Sequence, residues 1–266
     1  MLNQNKASVS LPSRIVCLSY DVVEILCGIG GAGKIVGKPC GIDKPGTEQA
    51  VSIGGFGRPD IDAIKALKPD LVIGYSEVCA GTIARLIMQN ITTLVLQHTS
   101  LEEIYASVML MGGITGNITE AASLVDNMRR QLRELAAFTP KNARRPVVYF
   151  EEWNKPYVCG TQWVSEVITI AGGKDAFAGR SRAKKYLQRE VTAFDMADAH
   201  PEIILASWCG KPVDTDSFKK RPGWESVPAV KTGSIYEVPG KLILQPGPSL
   251  IEGARYISDI INSRAG

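Results

Sequence analysis

Short β-prone apolar runs alternate with longer amphipathic segments along nearly the whole chain, and this alternation constrains the fold more than any other feature. Residues 14–19 (RIVCLS), 35–37 (IVG), 70–74 (DLVIG) and 92–96 (TTLVL) read as strands. Between them, residues 22–26 have helical spacing and stop at the glycine-rich turn of residues 28–33. Asp60 caps a helix that runs to Leu67 and ends at Lys68-Pro69. Residues 82–88 read as the next helix, and Ser100-Leu101-Glu102-Glu103 has capping-box spacing. Strands separated by helices pair in parallel, because a parallel pair needs a long crossover.

Residues 119–137 form a charged amphipathic helix, in which Arg129, Arg130, Arg133 and Glu134 alternate with Leu124, Val125, Leu132 and Leu135. At 1.5 Å per residue it reaches nearly 30 Å, a length suited to a rigid connector. Residues 139–146 (TPKNARRP) break it. The alternation then resumes with strands at 147–151 (VVYFE), 201–207 and 235–238, and helices at 163–171 and 248–262. Residues 201–207 (PEIILAS) echo residues 68–74 (KPDLVIG): proline, acid, then four apolar residues. The expectation is an α/β fold of two Rossmann-like lobes with parallel sheets, joined by a single long helix. The first lobe is residues 1–118, the helix and its linker 119–143, and the second lobe 144–266.

A hydrophobic fraction of 45% and a charged fraction of 21% suit a full globular core. The net charge of +3 is scattered, and the short runs Arg144-Arg145, Lys184-Lys185 and Lys219-Lys220-Arg221 read as solvated faces, so nucleic acid is not expected as a partner. No apolar run reaches the ~20 residues of a membrane span. Residues 1–12 lack the apolar core of a secretory signal, which reads as cytoplasmic for the chain as written, or periplasmic if a leader was trimmed. Six cysteines lack any C-x-x-C pair, and two histidines are too few for a bare zinc or manganese receptor. No cofactor is required.

In open parallel sheets, ligands sit beyond the carboxyl ends of the strands. Those ends carry Tyr20, Phe56, Tyr75, Glu77 and Gln97 in the first half, and Glu152, Trp153, Trp208, Cys209, Lys211 and Gln245 in the second. Aromatic residues are only 7% of the chain, yet five fall on these ends, where flat faces would suit a broad organic ligand. Strand alternation sends Glu151 and Glu152 to opposite faces, which does not suit a catalytic carboxylate pair. Cys209, with Lys211 two residues on, could be an activated thiol, and Cys40, Cys79 and Cys209 could converge on a soft metal or a corrinoid cobalt.

Residues 61–74 (IDAIKALKPDLVIG), 167–177 (VITIAGGKDAF) and 221–230 (RPGWESVPAV) resemble, in order, signatures of the binding proteins for vitamin B12, haem and iron siderophores. The resemblance extends over almost all of residues 14–261. It implies a non-catalytic receptor with a ligand cleft between lobes, a monomer whose partners are a small molecule and an ABC permease. The chain is most similar to the cobalamin-binding branch, including members without an export signal that carry the Glu-Glu-Trp and Ser-Trp-Cys-Gly-Lys segments. Tyr75 then stands where that branch places an aromatic against the corrin. The positions of the acids that dock on the permease fall near residues 77–81 and 214–216. The alternatives are haem or an iron siderophore as ligand, or a cytoplasmic enzyme on the same fold using Cys209 or Glu152.

Overall fold

The computed structural model describes residues 10–138 and 144–265. It is an α/β protein whose chain divides into two compact units. The first unit comprises residues up to 97 together with 106–125. Its sheet contains β1 (Ile15–Cys17), β2 (Ile35–Lys38) and β3 (Val51–Ser52). A small hairpin, β4 (Gly54–Gly55) and β5 (Arg58–Pro59), follows; β6 (Leu71–Tyr75) and β7 (Thr93–Leu96) complete the sheet. The order is β3-β2-β1-β6-β7, and every pairing among these five is parallel. Helices α1 (Tyr20–Gly28), α2 (Ile61–Ala66) and α3 (Ala80–Ile87) supply crossovers. Val16, Leu18, Ile53, Ile64, Val72, Cys79 and Leu86 form the core beneath them.

The local signals behave as their chemistry requires. Asp60 accepts hydrogen bonds from the Asp62 and Ala63 amides at 2.9 and 3.1 Å, capping α2. Glu103 donates its amide to Ser100 Oγ, but its carboxylate reaches back one residue further than expected, to the amide and hydroxyl of Thr99. Helix α4 (Leu101–Thr115) is followed by α5 (Ile118–Phe138), continuous across the span expected for the connector. Residues 118–125 of α5 belong to the first unit and the rest to the second. Helix α4 is divided as well, with residues 101–105 in the second unit and 106–115 in the first. The linker expected over residues 139–143 lies outside the described residues.

The second unit comprises residues 98–105 and 126 onward. It contains β8 (Val147–Asn154), β9 (Tyr157–Cys159), α6 (Gln162–Ile170), β10 (Lys174–Asp175), α7 (Ala193–Ala199) and β11 (Ile203–Ala206). Helix α8 (Pro228–Thr232), β12 (Ile235–Glu237), α9 (Gly240–Ile243) and α10 (Leu250–Ala265) complete it. The sheet order is β10-β8-β11-β12, all parallel, with β9 folded antiparallel against β8.

The Pro-acid echo has a structural cause. Asp70 and Glu202 each stand just before a central strand and accept from the backbone at the head of its neighbour. Asp70 takes the Ser13 and Arg14 amides at 2.8 and 3.0 Å, and Glu202 takes the Val147 amide at 3.0 Å. The reciprocal backbone bonds, Asp70 N to Arg14 O and Glu202 N to Val147 O, lock the same register in both lobes. Each acid therefore fixes which residues emerge at the far, carboxyl end of its sheet.

Candidate functional site

In the first lobe the chain order reverses between β1 and β6, which opens a crevice at their carboxyl ends. Strand β1 delivers Ser19, Tyr20 and Asp21 there as α1 begins, and β6 delivers Tyr75 and Ser76. Tyr20 and Tyr75 are half-buried on neighbouring strand ends. The Tyr20 hydroxyl donates to the Cys40 carbonyl at 2.8 Å, fastening the loop after β2. Ser76 adopts φ 62°, a left-handed conformation that a residue with a Cβ pays strain to hold. Its amide donates to Leu96 O, so the turn leaving β6 is tied to the end of β7.

Beneath this surface Asp21 is 2% exposed, and burial pushes its carboxyl up to about 6. Phe56 is half-buried against its own lobe's core, and Gln97 is exposed beyond β7. Glu77 opens the 3-10 turn of Glu77–Cys79, but its side chain lies outside the described residues.

The second lobe reverses between β8 and β11, and there the protein fills the position with its own side chains. Glu151, 0% exposed, meets Arg221 through two hydrogen bonds of 2.5 and 2.9 Å. Two further donors reach the Glu151 carboxylate, Trp208 Nε1 at 3.0 Å and the Tyr149 hydroxyl at 3.1 Å. The Arg221 guanidinium lies over the rings of Phe218, Tyr157 and Trp224 at 3.7, 4.3 and 4.6 Å. Burial raises the Glu151 carboxyl above its ordinary value, while hydrogen bonds and charge from Arg221 pull it down. The Tyr149 phenol is raised further by burial and stays a donor.

Several sequence expectations are corrected here. Trp208 is 6% exposed and stacks on Phe218 with centroids 6.2 Å apart, so it is a core side chain rather than a ligand platform. Its indole N–H has to find an acceptor once buried, and Glu151 is that acceptor. With Phe56 and Trp153 also leaning on the cores of their own lobes, the five strand-end aromatics do not stand out as one free set. Gln245 follows the turn of α9, which Pro239 initiates, and so does not sit on a strand end.

Cys79 is buried in the first core, so Cys40, Cys79 and Cys209 do not form the imagined soft-metal trio. Among the described residues no group of three or more His, Cys, Asp or Glu could hold a metal ion. Desolvation and the Glu152 carboxylate push the Cys209 thiol up, the reverse of an activated nucleophile. Burial lowers His98 to about 4, leaving its imidazole neutral.

Of the second-lobe candidates, Trp153, Cys209 and Lys211 remain near the surface. The Lys211 ammonium sits 4.2 Å from the Trp153 ring centroid, and Trp153 Nε1 donates to Lys155 O at 3.0 Å. Glu152 is half-buried and holds Arg189 through bonds of 2.6 and 3.2 Å. Sequence reasoning passed over Arg189 and read Arg221, with Lys219 and Lys220, as part of a solvated face; the structure buries Arg221 at 7% exposure, because Glu151 and three rings hold its guanidinium. For Arg221 a signal existed: an arginine set between Phe218 and Trp224 within seven residues suits a buried cation among rings.

Each of the two lobes thus presents the carboxyl ends of a parallel sheet at a chain reversal. Residues 15–242 match the profile described as "Periplasmic binding protein". The chain belongs to this family, the B12, haem and siderophore group of ABC-transporter substrate-binding proteins, whose members bind without catalysis.

An uncharacterised ABC transporter substrate-binding lipoprotein of Bacillus subtilis, YvrC, is 26% identical over 97% of this chain and 83% of its own length. A cobalamin-binding protein of Halobacterium salinarum is 26% identical over 91% of this chain and 68% of its own. Among solved structures, an ABC transporter substrate-binding protein of Listeria monocytogenes superposes with a TM-score of 0.82 at 20% identity, covering 96% of this chain and all of that one. IsdE of Staphylococcus aureus, solved with heme, gives 0.79 at 20% identity, covering 93% and 98%.

Proposed function

We propose that this protein is the receptor for a corrinoid, cobalamin or a close relative, which it presents to an ABC permease. The observation that carries the reading is the half-buried pair Tyr20 and Tyr75 at the first lobe's chain reversal, where a flat ring system has two aromatic edges or faces to meet. The likeness to the Halobacterium cobalamin-binding protein supports it. On the second lobe, taken by itself, Trp153 with Lys211 and the exposed Cys209 present an aromatic and polar surface of their own.

Titration of the purified protein with cyanocobalamin, cobinamide and hemin, followed by absorbance and calorimetry, tests the reading. The expected result is micromolar or tighter binding of at least one corrinoid, with a change in its visible bands. No heat and no spectral change with any corrinoid would refute it, and binding of hemin alone would move the assignment to haem.

A further inference from the structure

Arg221 and Lys211 both lie over aromatic rings in the second lobe, and they are held very differently. Arg221 is buried among Phe218, Tyr157 and Trp224 and bonded twice to Glu151, so it is a fixed part of its core. Lys211 is exposed, and its ammonium rests on the Trp153 ring, 4.2 Å from the centroid. That distance puts the ammonium on the face of the indole, because the ring's own atoms hold off any approach from the edge. Glu152, beside Trp153 in sequence, is already taken by Arg189 through both carboxylate oxygens.

The two partners arrive from neighbouring strands. Trp153 lies near the end of β8, and Lys211 closes the tight turn that follows β11. Its amide donates to Trp208 O at 3.1 Å, and Gly210 takes the left-handed φ of 72° that the turn needs. The chain order reverses at this strand pair, so the covered ring stands where an open parallel sheet receives a ligand.

The indole is fixed: it rests on the second core, and its Nε1 donates to Lys155 O at 3.0 Å. The lysine is not, because its ammonium rides on a flexible four-carbon stem and is strongly hydrated. An exposed cation–π contact favours the covered state by only about two- to fivefold, which leaves about one molecule in three to one in six with the ring face bare.

We propose that Lys211 is a displaceable cover over Trp153 and thereby determines which ligands reach that face. A flat ring stacks on the indole only after the ammonium has moved off, so its apparent affinity is reduced by the uncovered fraction, about three- to sixfold. The displaced ammonium stays on its tether beside the ring, so a neutral flat ring is admitted in preference to one that carries positive charge. For the identity of the ligand this rests on the corrinoid reading; the cover itself is a property of the free protein.

Of the four tryptophans Trp153 is the partly exposed one, since Trp163, Trp208 and Trp224 are 3%, 6% and 0% exposed. Collisional quenching of tryptophan emission therefore reads access to its ring. Nicotinamide, a neutral flat ring, and the N-methylnicotinamide cation are the quenchers, applied to the full chain and to K211A and K211R, with W153F giving the residual signal. Lys211 is exposed, so the fold should persist, which unchanged far-ultraviolet dichroism and urea midpoints verify.

Nicotinamide quenching of the Trp153 component should rise about two- to threefold in K211A and stay at or below the wild-type level in K211R, whose planar guanidinium stacks better. The preference for the neutral over the cationic quencher should shrink about twofold in K211A. Equal nicotinamide quenching in the wild type and K211A, or an unaltered preference, overturns the proposal.

Calorimetry with cyanocobalamin, a neutral corrinoid, then reads the cost of displacement. K211A should bind it about three- to sixfold more tightly than the wild type. Equal or weaker binding by K211A overturns the proposal. If cyanocobalamin binds neither protein, the corrinoid reading fails by itself, and the quenching result still decides the cover.

Discussion

Replacing Arg221 by methionine isolates the buried pair at the second lobe's chain reversal. The wild-type Glu151 is fully buried and receives four donors: two from Arg221, one from Trp208 and one from Tyr149. The variant keeps the last two and strands a carboxylate inside an aromatic shell, for which the expected destabilisation is about 3–5 kcal/mol at neutral pH.

The sign of the pH dependence follows from burial, which already raises this carboxyl; loss of Arg221 raises it further. Because the folded variant then holds its proton at a pH where the unfolded chain has lost it, stability falls as pH rises through that window. The deficit relative to wild type should therefore shrink on acidification. The further change E151L/R221M removes the stranded charge and should recover most of the loss. Urea unfolding monitored by tryptophan emission is the assay. All four tryptophans, Trp153, Trp163, Trp208 and Trp224, lie in the second unit, so the signal reports this lobe. A loss below about 1 kcal/mol, or one that is the same at acid and neutral pH, would refute the argument.

Tyr75→Ala should weaken corrinoid affinity by up to about tenfold, the value of one stacked ring, with unfolding unchanged; calorimetry measures both. Trp208→Ala should instead lower stability by about 3–5 kcal/mol, because the indole is core, and a purely affinity-based effect would contradict its burial. Asp21 is pushed from 3.8 to about 6, so the stability of the wild type relative to Asp21→Asn should fall by on the order of 3 kcal/mol between about pH 4 and pH 7 in chemical denaturation, the comparison cancelling the opposite slope that His98 gives both proteins. A Cβ added at Gly112 would stand 2.4 Å from that of Ala121, so Gly112→Ala should cost about 1–3 kcal/mol and Ala121→Gly should relieve it, as read by thermal melts.

The two sheets were legible because their central strands announce themselves twice over: by apolar runs, and by the Pro-acid step at Pro69-Asp70 and Pro201-Glu202. The short pieces were not. Strands of two residues such as Val51–Ser52 and Lys174–Asp175 are too brief for any period to register and exist because a longer neighbour templates them. At the candidate site, listing residues after strands put the partly exposed Tyr20, Tyr75, Trp153 and Lys211 on the same footing as the buried Trp208. That distinction is made by Phe218 and Arg221, which return from later in the chain to close over the indole and Glu151. The spacing of Phe218, Arg221 and Trp224 marks a cation among rings, but nothing in sequence order says that these residues return to Trp208 and Glu151.

The division of α4 and α5 between the two units also governs how this chain can be made. The first sheet has all its strands once Leu96 has left the ribosome, yet residues 106–125 of the same unit are still to come. Leu101 waits longer. Its amide is held by Glu166, 65 residues further along, so at about 5–20 residues per second the start of α4 spends roughly 3–13 s without that partner. During that interval Leu101, Ile104 and Tyr105, buried in the finished protein, face solvent on a nascent helix. Neither lobe can be excised as one uninterrupted piece of sequence, and an N-terminal fragment ending at residue 97 would lack residues 106–125 of its own unit.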